Sequence, residues 1–349
     1  MEDGKYVDGS FYFYAPNKGA PVIFAVLFAI SCGWHAWQCI RYKCWRITGI
    51  LPWSALIFVA GYSLREFGAF HYDKLNVFIA SLVMVYAAPP LYELSNYFTL
   101  SRILYYIPYH SPLHPGRVFT TFGLLSAIVE ALNANGAAYM ANSSLPKSKQ
   151  DIGRALLKTA LVLQLVILGI FIALALWFHR CCLKAGLMPH NLAVVLQTLY
   201  ISSTLIGIRT IFRTVEFFST IDIHYTPGTD PNTLSPLLRY EWFFYIFESS
   251  LMVLNTYLLN FRHTMRYLPR DNAIYLAEDG VTQVQGPGYQ DKRLWLVTVV
   301  DPFDLHGLLR GRNLKERFWE THKDERKGGG EVKSVLQPTD GAEAEPGRK

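Results

Sequence analysis

Charge is scarce in this chain. Of its 349 residues only 17% are Asp, Glu, Lys or Arg, while 51% are hydrophobic and 15% aromatic. Soluble domains usually carry about a quarter charged residues. The apolar residues gather in blocks of about twenty, the length that crosses roughly 30 Å of hydrocarbon. A soluble helical bundle is therefore disfavoured and a polytopic membrane protein expected. Cysteine is scarce too: Cys32, Cys39, Cys44, Cys181 and Cys182, with no C-x-x-C spacing and none in a segment assigned to the outside. No disulfide framework and no cysteine metal site is indicated. The chain has no G-x-x-x-x-G-K-[S/T] phosphate loop, so ATP is not expected to drive it through that motif. Its 10 histidines are scattered through loops and span ends, which argues against a metal and a membrane zinc hydrolase. A basic leader is lacking as well; Glu2 and Asp3 open the chain, and no cleavable signal peptide is expected. No internal repeat of solenoid length is evident.

The net charge of +6 does not call for nucleic acid, because many Lys and Arg fall in short loops between apolar blocks. There they would set topology instead. The apolar blocks divide the chain into an extracellular segment, 1–20, and a membrane domain, 21–261. A partly ordered cytoplasmic tail, 262–322, and a polar, disordered end, 323–349, follow. Within the domain the spans fall at about 21–40, 49–70, 75–97, 118–140, 155–178, 191–214 and 241–261. The fold class is all-α. Arg41, Lys43 and Arg46 follow the first span and Arg262, Arg266 and Arg270 the last. This predicts the N-terminus outside and the C-terminus in the cytoplasm. The Ala88-Pro89-Pro90 run predicts a kink or a break, with Glu93 just beyond it. Asn142-Ser143-Ser144 is a glycosylation sequon on the side assigned outside.

Ionisable residues inside apolar helices are costly, so they mark function or pairing. Arg209, Arg213 and Glu216 stand at i, i+4 and i+7, on one helix face; Glu241, Tyr245 and Glu248 repeat the spacing in the last span. With Arg65, Glu66, Glu130 and Gln164 they fall in the outer half of the membrane or near its midplane, three arginines against five glutamates. One reading is an outward-open polar cavity that prefers a cationic head. The other is structural pairing, with Arg209 and Arg213 held by Glu241 and Glu248 and the sixth and seventh helices fixed together. Antiparallel helices joined by a loop place Arg209 level with Glu248, and that pair is expected in either case. Glu130 has no evident basic partner.

These residues resemble the fungal RTA-like family of aminocholesterol-resistance and lipid-translocating exporter proteins. The carrying features are Tyr14-Ala15-Pro16, Gly61-Tyr62 with Arg65, Ala88-Pro89 with Tyr97 and Arg102, and Leu161 with Gln164. The most specific are Arg209-x-x-x-Arg213-x-x-Glu216 and Glu241-x-x-x-Tyr245-x-Phe247-Glu248 with Leu251-Met252. Departures from the family pattern are Phe58, Ser126, Asn133, Glu248 in place of aspartate, and Thr264 in place of proline. The resemblance implies seven helices and a fungal membrane, most simply the plasma membrane, with the endoplasmic reticulum or vacuole as alternatives. It also implies lipid handling or resistance to toxic amphiphiles, with no catalytic residue and no cofactor. Membrane lipids and a cationic amphiphile such as a sphingoid base would be the partners. A heptahelical lipid sensor that signals through its cytoplasmic tail is the alternative.

Overall fold

In hydrocarbon every backbone N–H and C=O has to be bonded within the chain, so an apolar block becomes a helix. The computed structural model describes residues 14, 16–71, 74–111, 115–141, 145–220, 236–269, 271 and 273–286, with four isolated positions at 297, 300, 301 and 306. Asn142, the 221–235 loop and the 323–349 end lie outside them. Helix α1 is Ala20–Tyr42; a short α2, Trp45–Thr48, leads into α3, Ile50–Phe70. Then come α4 (Leu75–Ala87), α5 (Pro89–Tyr106), α6 (Pro115–Ala141), α7 (Lys147–Lys184) and α8 (His190–Thr220). The last crossing is assembled from α10 (Glu241–Phe244), a π turn (Tyr245–Ser250) and α11 (Leu251–Phe261), flanked by the single turns α9 (Pro236–Arg239) and α12 (Thr264–Tyr267).

The molecule is an all-helical membrane protein with seven crossings. Five helices are long and apolar enough to span a bilayer outright, α4 and α5 counting together as Leu75–Tyr106. The other two crossings are α3, which carries Arg65 and Glu66, and the seventh, which the π turn divides. Burial is turned inside out relative to a soluble protein. Helix α1 buries Ser31, His35 and Gln38 and exposes Val22, Ile23, Val26, Ile30, Trp37 and Ile40. An apolar outer face needs no water, whereas the polar side chains need protein partners.

The helices form a ring, α1–α3–α4–α5–α6–α7–α8–α11 and back to α1, and α5 also reaches across it to α3, α7 and α8. Thirteen of the 18 residues of α5 are buried, which makes it the axis of the bundle. On one flank α5 to α8 enclose Leu100, Phe122, Phe171 and Phe178; on the other, α1, α3, α4 and α11 enclose Phe28, Phe58, Tyr62 and Met252. Pro89 and Pro90 interrupt the N–H ladder between α4 and α5 as the sequence predicts, and the Ser54 hydroxyl donates to the carbonyl of Ala88 at 2.8 Å. Helices α6 and α7 cross backbone to backbone: a Cβ on Gly136 would stand 2.9 Å from the Gly153 carbonyl, and one on Gly153 2.8 Å from the Gly136 carbonyl.

Beyond α12 the chain makes a small antiparallel hairpin. Strand β1 (Ile274–Leu276) pairs with β2 (Gln283–Gln285) in the register Ile274↔Gln285, Tyr275↔Val284 and Leu276↔Gln283. Gly280, at φ 73°, sits in the turn, and Tyr275 and Val284 pack on Tyr105 near the end of α5. This is the hairpin end of the bundle; the opposite end, where residues 14–19 lie, is the cap end.

Candidate functional site

The site begins with charges that the helices force together. Helix α3 delivers Arg65 to Glu241 at the start of α10, with Nη2 2.9 Å from Oε1. The guanidinium also lies 4.1 Å from the centre of the Phe244 ring. The Tyr245 hydroxyl donates to Glu241 at 3.0 Å, and the backbone N–H of Asn17 donates to its other oxygen at 2.8 Å. Glu66 accepts the N–H of Gly19 at 3.2 Å, and Arg65 donates to the Tyr14 hydroxyl at 3.3 Å. The segment before α1 is thus laid across the cap end. Burial pushes the Tyr14 phenol up to about 12, so it stays a neutral acceptor for Arg65.

One layer deeper, Arg209 of α8 meets Glu248 in the π turn, with Nε and Nη2 each 2.6 Å from Oε1. Arg209 is 5% exposed and Glu248 is fully buried. The second oxygen of Glu248 has no hydrogen-bond partner. The π turn widens the helix by one residue, and Ser249 then accepts the Tyr62 hydroxyl at 2.6 Å. Such single π turns recur at functional sites. Arg213 is bonded to Glu216 one turn along α8 and lies 3.9 Å from the centre of the Tyr86 ring.

The pairing of Arg209 with Glu248 is the one the antiparallel spacing predicts. The expectation for Glu241 is corrected: its arginine is Arg65 of α3, and Arg213 takes its own i+3 glutamate. Spacing identified which residues share a face, but the neighbour of that face is set by the ring order of the helices.

A further carboxylate joins the layer. Glu93, early in α5 and 3% exposed, accepts the Gln164 amide of α7 at 2.8 Å and the Tyr97 hydroxyl at 3.2 Å. Among the described residues no cation stands at ion-pairing distance from it. Arg209, already engaged with Glu248, acts on it electrostatically. Glu130 of α6 is half-buried and interacts electrostatically with both Glu93 and Arg209. The sequence reading marked Glu93 only as following the proline break. The available signal was a carboxylate inside an apolar span, one helical turn before Tyr97. The structure thus gathers Gln164, Arg209, Glu248 and Glu130 around Glu93, while Arg65, Glu66, Glu241 and Tyr245 tie the cap end. Arg213 and Glu216 close on each other.

A cavity of about 180 Å³ lies at the hairpin end, lined by Ser101, Arg102, Tyr105, Tyr106 and Asp271. Among the described residues no group of three His, Cys, Asp or Glu side chains is arranged to hold a metal.

Residues 52–271 match the family described as RTA1 like protein. The chain is 46% identical over 290 residues to a lipid-translocating exporter-like protein RTA1 of Leptosphaeria maculans, covering 80% of this chain and 56% of that protein. It therefore spans little more than half the length of that relative. It is 28% identical to a protein of the same name from Ajellomyces capsulatus, covering 75% and 83%, and 23% identical to the probable lipid transporter atnI of Emericella nidulans, covering 74% and 69%. These relatives are named as transporters or exporters rather than enzymes. No solved structure matches the chain.

Proposed function

Because the chain belongs to the family of RTA1 like proteins, we propose that it translocates or exports amphiphilic lipids with a cationic head, such as the ammonium of a sphingoid base or of a toxic sterol-like amine. The observation that carries this reading is Glu93. Three arginines of the polar layer are each matched to a glutamate, and one buried carboxylate is left with neutral partners alone. A buried charge without a counter-ion is costly, and a bound ammonium would relieve it. The alkyl tail would lie against an apolar helix face. Arg65, Glu66, Glu241 and Tyr245 would then guard the entrance, and Arg213 with Glu216 would shape its wall.

The basic residues after α1 and α11 support a cytoplasmic hairpin end and an outward cap end. On this reading segment 1–20 is extracellular, 21–261 is the transport domain and 262–322 lies on the cytoplasmic side of the plasma membrane. The test is efflux of a labelled sphingoid base from cells with and without the protein. Faster efflux with the wild type than with Glu93→Gln is expected. Equal rates with and without the protein, at verified expression, would sink the reading.

A lipid sensor is the second reading, favoured by the packing of the β1–β2 hairpin on Tyr105 of α5, the helix that also carries Glu93. Truncating the chain before Ile274 separates the two. A transporter keeps its flux, whereas a sensor keeps lipid binding and loses its cytoplasmic output.

A further inference from the structure

Glu93 is held by two groups that can each reverse their role. The Gln164 amide has a donor end and an acceptor end, and the Tyr97 hydroxyl both donates and accepts. In the structure both donate, to Oε1 at 2.8 Å and Oε2 at 3.2 Å, the arrangement that a carboxylate facing a bound ammonium keeps. With Glu93 protonated, a turned Gln164 amide or the Tyr97 oxygen accepts the new O–H with no backbone movement. Glu248 differs: its partner is a guanidinium, which has no acceptor and holds the carboxylate ionised. The charged groups that act on Glu93 are Arg209 from α8, itself bonded to Glu248 of the π turn, and Glu130 from α6; Tyr97 on its own helix and Gln164 on α7 are neutral. Arg209 is matched by Glu248, which leaves Glu93 and Glu130 as two acidic groups with no bonded arginine among the described residues, so the cluster is poised to take up one further positive charge.

The geometry points to proton exchange: Glu93 holds a proton when no amphiphile is bound and gives it up when a cationic head arrives. The protonated carboxyl meets the ammonium, the O–H bond breaks, the carboxylate keeps the electron pair as the counter-ion of the ammonium, and the proton leaves to water. Charge in the site is unchanged by the swap, so neither state leaves a bare ion in the bundle. A buried polar route supports the departure. Asn96, one turn below Glu93, is bonded to Ser202 at 2.9 Å. The Ser203 hydroxyl, adjoining Ser202 in the chain, and both amide atoms of Asn255, adjoining Thr256, are buried without a hydrogen-bond partner among the described residues. Tyr92, Thr256, Ser31 and Asn260 then continue hydrogen-bonded toward the hairpin end. This inference rests on the cationic-lipid reading above and adds the ion that its site exchanges.

The experiment is calorimetric titration of the purified full-length protein in nanodiscs with a sphingoid base and with its N,N,N-trimethylated analogue. The analogue carries a fixed charge and has no proton to lose. Each titration is run near neutral pH in two buffers of different ionisation enthalpy, which reports the protons released. About one proton per bound molecule is expected from the wild type with either compound, and none from Glu93→Gln. The variant should also bind roughly tenfold or more weakly. Binding of the trimethylated compound with no proton release overturns the exchange and leaves the lipid reading standing. Undiminished release from a folded Glu93→Gln also overturns it. No binding of either compound to folded wild type overturns both. Should Glu93→Gln not fold, the wild-type release with the trimethylated compound decides alone.

Discussion

The two halves of the bundle solve the same problem by different chemistry. At the cap end the buried polar groups are ions: Arg65 with Glu241, Arg209 with Glu248, Arg213 with Glu216. At the hairpin end they are mostly neutral. Thr256 of α11 accepts from Tyr92 at 2.9 Å and meets Ser31 at 2.7 Å and His35 at 3.3 Å; Asn260 donates to Ser31 at 2.6 Å, and Gln38 donates to the Asn260 carbonyl at 2.7 Å. Of the two buried arginines at this end, Arg102 and Arg117, Arg102 spends its donors on the carbonyl of Pro269 and on the Met265 sulfur at 3.1 Å, with Asp271 acting on it electrostatically. Neutral hydroxyls and amides suffice to fix helix packing, and each contributes modestly in a membrane. Buried ion pairs carry a desolvation cost that hydrophobic residues would avoid. Their concentration in one half therefore points to a task beyond packing, and Glu93 stands at its inner edge with no arginine of its own.

The sharpest way to break this contrast is to strand a charge. Arg209→Ala and Glu248→Ala should each destabilise the fold by about 3–5 kcal/mol, since each leaves a lone ion in the bundle. The double variant should lose much less than the sum. Folded yield and thermal stability in detergent check both. If Glu248→Gln folds well and is inactive, Glu248 serves the substrate rather than the scaffold. If both alanine variants behave as wild type, the layer is wetter than its burial indicates and the contrast between halves fails.

A smaller effect is expected at the edge of the same layer. Arg65→Met keeps an apolar stem but removes the guanidinium that lies over Phe244, pairs with Glu241 and donates to Tyr14. Glu241 retains the Tyr245 hydroxyl and the Asn17 N–H. A loss of about 2–3 kcal/mol is therefore expected, less than for the deeper pair. Protease cleavage within residues 14–19 should become faster, because the segment loses one of its anchors. Unchanged cleavage would detach the segment from Arg65.

Much of this frame was legible in the sequence. Blocks of apolar residues marked seven crossings, the Ala88-Pro89-Pro90 run marked the break between α4 and α5, and the i, i+4, i+7 spacings brought Arg209 to Glu248. Three features were not legible, each for a physical reason. The π turn at Tyr245–Ser250 leaves no compositional trace, since it adds one residue of twist within an ordinary helical sequence. The Arg65–Glu241 pair joins residues 176 apart, and only the tertiary packing brings the Arg65 side chain of α3 to the start of α10. The role of Glu93 depends on what is not beside it, which spacing cannot express. The hairpin had a signal that was passed over: Ile274-Tyr275-Leu276 and Gln283-Val284-Gln285 flank Asp279-Gly280, a turn pair between short strands.

The hairpin half makes a prediction of its own with acid. His263, just past α11, is 2% exposed and stacks on Tyr42 at 5.3 Å, and burial pushes its imidazole down to about 4. An unfolded histidine titrates near 6.5. Below that value the unfolded chain takes a proton that the folded imidazole refuses, so stability falls as pH falls toward 4. The part due to His263 should be about 2 kcal/mol between pH 7 and pH 5. His263→Asn, whose amide oxygen can still accept the Met265 N–H, should lose less over that interval. Identical slopes for the two proteins would mean that another group sets the acid sensitivity.

The smallest expected effect is the one that most sharpens the comparison. Thr256 touches three side chains from α1 and α5, so by partner count it is the centre of the hairpin-end network. Thr256→Val keeps the shape and removes the hydroxyl. Tyr92 then loses an acceptor, but its hydroxyl lies near Ser54; Ser31 keeps the Asn260 amide. Because Tyr92 and Ser31 keep other partners, the loss should be about 1 kcal/mol, in line with hydrogen bonds between membrane helices. No such rescue exists for Arg209 or Glu248, because neither can become neutral without losing its place in the layer. Thermal melts of Thr256→Val beside Arg209→Ala, in the same detergent, measure the ratio directly. A loss of 3 kcal/mol or more for Thr256→Val would mean that the neutral network is as cooperative as the charged one. Packing alone would then account for both halves, and the charges at the cap end would no longer single it out as the working half.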